Sequence, residues 1–473
     1  MADQFNVRIE DVRLFERDVV FRMPFRFGVV TLEAAPQAFA RVRVRTAAGE
    51  EAWGAAAEIM APKWFDKNLE LTNEENFEQL RQSLRTARKL YLDRREPASP
   101  FSLHAQSYDE QVRRCGEKGL NPLIAQYGPA LIDRAIIDAA CRGAGVSFHE
   151  AMQANLCGIA PAELAPDLGD FEADAFLARL RPRDHIHARH TVGMVDPLTD
   201  ADIPAGKRVG DGLPETLENV IDAYGHTYFK LKVGGDLTAD LDRLVAIARV
   251  IDSRCDSYFV TLDGNEQYGD VEGIVELWEA MALDRRLAKL QSSVLFIEQP
   301  IRRGRALDLD IGPLANRRPV IIDESDSAYD VFVTAKALGY RGISSKTCKG
   351  VYRSLINAMR CAAWNAEGDA EYFMSGEDLT TQAGLSVQQD LALVALLNLD
   401  HVERNGHHYV RGMEGVPAPE QQHFLRAHGD LYRDFNGVTS LRIDGGILAI
   451  GSLAGPGFAS AAMPRWQDMR EMT

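Results

Sequence analysis

The chain has 473 residues, 46% hydrophobic and 26% charged, with 38 Gly and 20 Pro. That balance belongs to a globular protein with a sizeable core and excludes a disordered tail or a collagen-like fibre. The net charge of -16, from 53 Lys+Arg against 69 Asp+Glu, works against general attraction to nucleic acid or anionic lipid, so an anionic substrate has to be held by local cations.

The opening residues, MADQFNVRIEDVRLFERDVV, carry charges throughout and lack the apolar centre of a signal peptide, and no run of 18 or more apolar residues follows. The six cysteines (Cys115, Cys141, Cys157, Cys255, Cys348, Cys361) form neither a CxxC pair nor a zinc-ligand spacing. Together these features predict a cytoplasmic protein in a reducing compartment, with no membrane or nucleic-acid partner.

Between residues 5 and 44 two segments alternate apolar and polar positions around a proline-containing link, as two antiparallel strands do. Helical periodicity follows over residues 73–92 and again over 129–142, where LIDRAIIDAACRGAG stops at Gly143 and Gly145. The N-terminal region, residues 1–157, therefore reads as an α+β unit. Residues 158–185, rich in Ala, Pro, Asp and Arg, read as a connector.

From residue 186 to 402 short apolar runs alternate with helical ones. HTVGM and YFKLKV are followed by a helix over 240–251, YFVTLDGN by one over 271–281, and LFIEQP comes next. RPVIIDES then precedes a helix over 331–338, RGISSKT one over 353–364, and EYFMSGE one over 382–399. So many alternations imply parallel strands, and their number favours a closed (β/α)7β-type TIM barrel over an open sheet. No G-x-G-x-x-G or G-x-x-x-x-G-K-[ST] loop is present, so no dinucleotide or P-loop site is indicated.

In such a barrel the active site forms at the C-terminal ends of the strands, which makes the polar residues ending each apolar run informative. Strand two ends in Lys230 and Lys232, strand three in Asp263 and Asn265, strand four in Glu298, strand five in Asp323 and Glu324, strand six in Lys346, and strand seven in Ser375 and Glu377. Period-two alternation puts Lys230 and Lys232 on one face, where mutual repulsion and burial would lower a lysine pKa toward that of a general base. A lone KxK more often snorkels outward from an edge. Asp263, Glu298 and Asp323, brought together, would repel unless a hard cation lay between them, and an oxygen-only set favours Mg²⁺. Each acid alone also fits a turn, a strand stop or a helix cap; lysines on both flanks of all three argue for the joint reading.

The series KLK, LDGN, FIEQP, IIDES and SSKTCKG resembles the enolase superfamily, in its muconate-lactonizing-enzyme-like branch. The key residues from Lys232 to Lys346 are spaced 31, 35, 25 and 23 residues apart, close to one βα unit each, with LDRRLAKLQSS as an insertion in the longest interval. The mandelate-racemase-like branch, with K-x-H on strand two, fits less well. The resemblance implies an α+β capping domain built from the N-terminal region and from the C-terminal segment, residues 403–473. It implies Mg²⁺ on Asp263, Glu298 and Asp323, a small carboxylate substrate between Lys232 and Lys346, and Lys230 as an electrostatic partner of the enediolate. Asn265 and Glu324 become orienting groups, and homo-oligomers are common in the family.

Two opposed lysines make racemisation or epimerisation the first expectation. Cycloisomerisation (lactonization), dehydration or a dehydrating synthase reaction uses the same residues, and a catalytically silent barrel used for binding is the reading from another class. Phe25, Arg26, Phe27 and Trp64 from the capping loops, with Ser375 and Glu377, are candidate substrate contacts, although packed loop aromatics are as good an account of the first four. Lys349 is expected off the inward face. His407 and His408 are expected at the surface or against the cap, without a role. The stretch Asp400-His401-Val402, read as the last strand's end, lacks an Asp-x-Asp and so speaks against a dipeptide substrate.

Overall fold

The structure, a computed structural model, describes residues 5–27, 30–368 and 370–472. The N-terminal segment forms an antiparallel sheet of β1 (Val7–Phe27), β2 (Val30–Thr46) and β3 (Glu51–Ile59). Against it pack α2 (Asn73–Asp93) and α4 (Pro122–Ala144), with α1 (Pro62–Phe65) on α2 and α3 (Pro100–Gly116) on both long helices. Thr72 and Glu75 close a capping box on α2, while Ser99 and Asn121 cap α3 and α4, each followed by proline at the first helical position.

Helix α4 starts at Asn121-Pro122, well before the expected start near Pro129, because Pro129 lies inside it. A proline there leaves the carbonyl four residues back, that of Ala125, without its helical donor. That carbonyl instead accepts from Gln111 Nε2 at 2.9 Å and Ser83 Oγ at 3.0 Å. Neighbouring helices thus supply what the sequence of α4 lacks. Helix α3 escapes the periodicity analysis altogether.

Among the described residues, eight parallel strands close a barrel: β4 (His185–Val192), β5 (Tyr228–Lys232), β6 (Phe259–Asp263), β7 (Val294–Glu298), β8 (Val320–Ile322), β9 (Gly342–Ser345), β10 (Phe373–Gly376) and β11 (His401–Arg404). Closure comes from β11 pairing with β4, Glu403 opposite Arg189. Helices lie between successive strands, as the (β/α)7β reading expects, and the LDRRLAKLQSS insertion is a 3-10 turn plus a short helix, Ala288–Ser292.

Past the barrel the chain forms a hairpin of β12 (Tyr432–Phe435) and β13 (Val438–Leu441), then β14 (Ile447–Ala449), which lies antiparallel on β4. The tail ends in β15 (Arg470–Glu471), paired with β1 at Phe15 and Glu16, so the C-terminus returns to the N-terminal sheet as a capping domain requires. Among the described residues no helix is long and apolar enough to cross a membrane.

Candidate active site

The barrel interior is polar where a (β/α) barrel is usually filled with branched apolar side chains. Alternation turns Arg189 and Thr191 of β4 inward, and Arg189 pairs with Glu377 while Thr191 donates to Glu403 at 2.6 Å. Lys230 stands at the centre of four carboxylates. It donates to Glu298 at 2.8 Å, Glu377 at 2.9 Å and Glu403 at 3.0 Å, using its three protons, with Asp263 also 3.0 Å away.

Above this layer lies a cavity at the strands' C-terminal mouth. Lys230, Lys232, Asp263, Asn265, Asp323, Glu324 and Lys346 line it from the barrel, and Phe25, Leu32, Ala61 and Trp64 from the N-terminal unit. Lys232 contacts Asp263, and Lys346 donates to Asp323 at 2.6 Å. The capping loop is latched to this mouth: Arg303, beyond β7, donates to the Trp64 carbonyl at 2.8 Å and pairs with Glu266.

The predicted residues are thus brought together. Asn265 Nδ2 donates to Glu324 at 3.0 Å, which links the two expected orienting groups. Ser375 and Glu377 are buried and hydrogen-bonded to each other, and do not line the cavity. The side chains of Arg26 and Phe27 lie outside the described residues. Lys349 is turned beneath the mouth, donating to Ser344 at 2.8 Å and pairing with Asp326 at 2.9 Å.

Repulsion between the two strand-β5 lysines does not lower the pKa of Lys230. Burial works against its charge, but Asp263, Glu298, Glu377 and Glu403 outweigh burial and hold the ammonium well above its usual range. Burial likewise opposes Lys346, and Asp323 overrides it, again raising the pKa. Burial, with Asp263 and Glu377 nearby, pushes Glu298 well up, and burial beside Asp323 pushes Glu324 up to about 7.

Three features of this site escape sequence reasoning. The last strand runs to Arg404, so its mouth carries Glu403 and Asn405, both lining the cavity, and not Asp400-His401-Val402. The expectation drawn from that stretch rested on the wrong residues, and the strand end itself, Glu403-Arg404-Asn405, also lacks an Asp-x-Asp. Gln299, within the apparent strand stop IEQP, accepts from the backbone N–H groups of Asp323 and Ser325 at 2.8 and 3.1 Å and so sets the direction of Asp323. Gln299, Asn265 and Glu266 hold left-handed backbone, with φ of 33°, 42° and 66°, at adjacent strand ends, strain of the kind that collects at functional sites.

His407 and His408 are buried, contrary to expectation. They follow β11 in the short helix Gly406–Tyr409 and meet His190 of β4 and His226 behind the barrel wall. Ring nitrogens of His190, His226 and His407 lie within 4.8 Å of one another, a cluster able to hold a divalent metal ion. Burial holds His226 down to about 4 and His408 to about 3, so both are neutral at pH 7.

Residues 212–427 match the family model of the enolase C-terminal domain-like proteins. Similar solved structures include a putative sugar isomerase of the enolase group from Streptomyces coelicolor, at 16% identity over 96% of this chain and 94% of that one, with a TM-score of 0.59. A dipeptide epimerase from Enterococcus faecalis V583, complexed with Mg and L-Leu-L-Tyr, is 14% identical over 96% and 99%, TM-score 0.59. A 2-chloromuconate cycloisomerase from Rhodococcus opacus 1CP is 18% identical over 96% and 97%, TM-score 0.59. No curated protein sequence matches the chain. At such identities structural likeness speaks for the fold alone, and with the family match over the barrel it yields one conclusion. The chain has the fold of the enolase superfamily.

Proposed function

We propose that the protein is a Mg²⁺-dependent enzyme that removes the proton α to a substrate carboxylate, with racemisation or epimerisation as its reaction. The observation that carries this reading is the pair Lys232 and Lys346, which line one cavity from separate strands and each rest on a different aspartate.

The carboxylates fit a hard dication. Glu298 Oε2 is buried with no hydrogen-bond partner among the described residues. Asp263, Glu298 and Asp323 would hold Mg²⁺ through oxygen alone. Bound there, the ion would supply positive charge beside the substrate's carboxylate oxygens.

The chain's own groups do the rest. Lys232 and Lys346 would take and return the proton from opposite faces of the substrate; Asp323 holds Lys346 as the ammonium, the form that returns the proton, and a cation drawing Asp323 away would free it to act as the amine. Lys230, fixed by its carboxylate cage, keeps a permanent charge beneath the reacting centre and does not titrate near neutrality. Trp64, held by Arg303 through its carbonyl, forms part of the wall at the mouth. The apolar wall of Phe25, Leu32 and Ala61 faces the rest of the substrate.

The test is α-proton exchange in D₂O with Mg²⁺, across hydroxy acids, amino acids, N-acyl amino acids, dipeptides and sugar acids. Exchange of each enantiomer that disappears in Lys232→Ala for one and in Lys346→Ala for the other supports the proposal. Loss of water or ring closure would instead favour a dehydratase or cycloisomerase. No exchange by any acid, together with no Mg²⁺ binding, would point to a silent barrel.

A further inference from the structure

The buried histidines behind β4 do not belong to the cavity at the barrel mouth. Strand alternation separates them: Arg189 and Thr191 face the interior, so His190 faces outward, toward the C-terminal end of helix Leu217–Tyr224 and the turn that carries His407. His226 joins them from the loop leading into β5. Three chain segments far apart in sequence thus bring imidazoles to one point.

Their nitrogens are unspent. His190 Nδ1, His226 Nε2 and both ring nitrogens of His407 are buried without a hydrogen-bond partner among the described residues. Leaving one such group unpaired costs about 1–3 kcal/mol, so several together call for a ligand that satisfies them at once. His226 is already oriented for this: its Nδ1–H points to the Ala188 carbonyl at 2.8 Å, leaving the Nε2 lone pair free. A second hydrogen bond of that kind is how proteins fix the tautomer and direction of a metal-binding histidine.

We propose that His190, His226 and His407 form a second metal site, for a borderline transition dication of the Zn²⁺ class, separate from the carboxylate centre. Three neutral nitrogens without a carboxylate suit Zn²⁺, Co²⁺ or Ni²⁺ and do not suit Mg²⁺. The nitrogens' spread of up to 4.8 Å exceeds the roughly 3.3 Å between ligands of a tetrahedral zinc ion, so the rings would have to turn toward one another on binding. A fourth position opens to a small cavity lined by Leu213, Tyr224, His407 and Arg433. That cavity shares Leu213, Tyr224 and Arg433 with an open surface depression, which provides the route of entry. With Arg433 beside Tyr224 and no acid among the three histidines, the fourth ligand would be a hydroxide or another small anion; Arg22, on the His408 carbonyl, is already paired with Asp211.

The test uses the full chain, stripped of metal and then held in excess Mg²⁺ so that the carboxylate centre is occupied. Zn²⁺ is added and excess removed, and Co²⁺ serves as the spectroscopic probe. The expected result is one Zn²⁺ retained per chain and intense visible bands from four-coordinate, nitrogen-ligated Co²⁺. Affinity should fall at least about 100-fold in His226→Phe and His407→Gln, more than the loss of an orienting partner causes, and stay unchanged in Asp263→Asn. His407→Gln decides the matter if His226→Phe does not fold. The proposal is overturned if the wild type retains no Zn²⁺, or if Asp263→Asn and not the histidine variants abolishes retention. Because the readout is Zn²⁺ content and the Co²⁺ spectrum, failure of the proposed reaction leaves it unaffected.

Discussion

The Lys346 ammonium lies 4.3 Å from the centroid of the Trp64 ring. A buried cation–π contact of this kind is worth on the order of 2 kcal/mol, and with Asp323 it fixes the amine over the cavity. Trp64→Ala is expected to cost about 3–5 kcal/mol of stability and to suppress exchange on the face served by Lys346 more than on the other. Trp64→Phe should keep most of both. Urea denaturation alongside enantiomer-resolved exchange checks this, and equal loss on both faces would sink it.

Glu298 separates metal binding from folding. Its carboxyl is pushed toward the neutral form, so Glu298→Gln should melt close to wild type in chelator. Mg²⁺ at about 100 times its Kd should stabilise the wild type by about 2.7 kcal/mol, and the variant should lose that gain. Thermal melts with and without Mg²⁺ decide it.

Lys230 neutralises a cage of carboxylates, two of which, Glu298 and Glu403, pair with no other cation among the described residues. Lys230→Met leaves them buried and uncompensated, a change that costs about 3–5 kcal/mol in comparable pairs. The penalty is electrostatic, so it should shrink as pH falls and the acids take up protons. Denaturation of both proteins at pH 7 and pH 5 measures it; a deficit that is constant or grows toward pH 5 would refute the account.

Away from both proposed metal sites, His428 gives a clean pH effect. The Ala461 backbone N–H donates to its Nε2 at 3.1 Å and its Nδ1 meets Ser452 Oγ at 3.0 Å, an arrangement open only to the neutral ring. Burial holds its pKa down to about 4, against the pull of Asp430. A histidine lowered on folding contributes stability that is complete above its unfolded pKa, near 6.5, and is lost as pH falls toward 4. His428→Asn should therefore remove roughly 1–3 kcal/mol of the wild type's acid sensitivity in that window. Parallel stability-against-pH curves would expose the error.

Much of this was legible because a strand's period is short. Lys230, Lys232, Asp263, Glu298, Asp323 and Lys346 each end an apolar run, and that position alone delivers them to the barrel mouth. Glu403 was obscured by a one-unit ambiguity in where the last strand stops, and only pairing with β4 fixes Glu403 opposite Arg189. The histidines were beyond reach for a different reason: positions 190, 226 and 407 share no spacing, and their meeting depends on barrel closure. The alternation in HIHARHTV does separate His190 from the inward Arg189, and is the one local hint. The cap start at Pro122 was hidden by Pro129, whose cost is repaid by residues outside the helix.

That repayment has a consequence for assembly. With Ala125 relying on Ser83 and Gln111, residues 122–144 cannot complete their own backbone hydrogen bonding, so a synthetic peptide of that stretch should break near its middle turn. The rod that carries Arg134 to Glu58 beside strand β3 would straighten only once α2 and α3 have docked, which makes the N-terminal unit's order of construction a matter of neighbours before length.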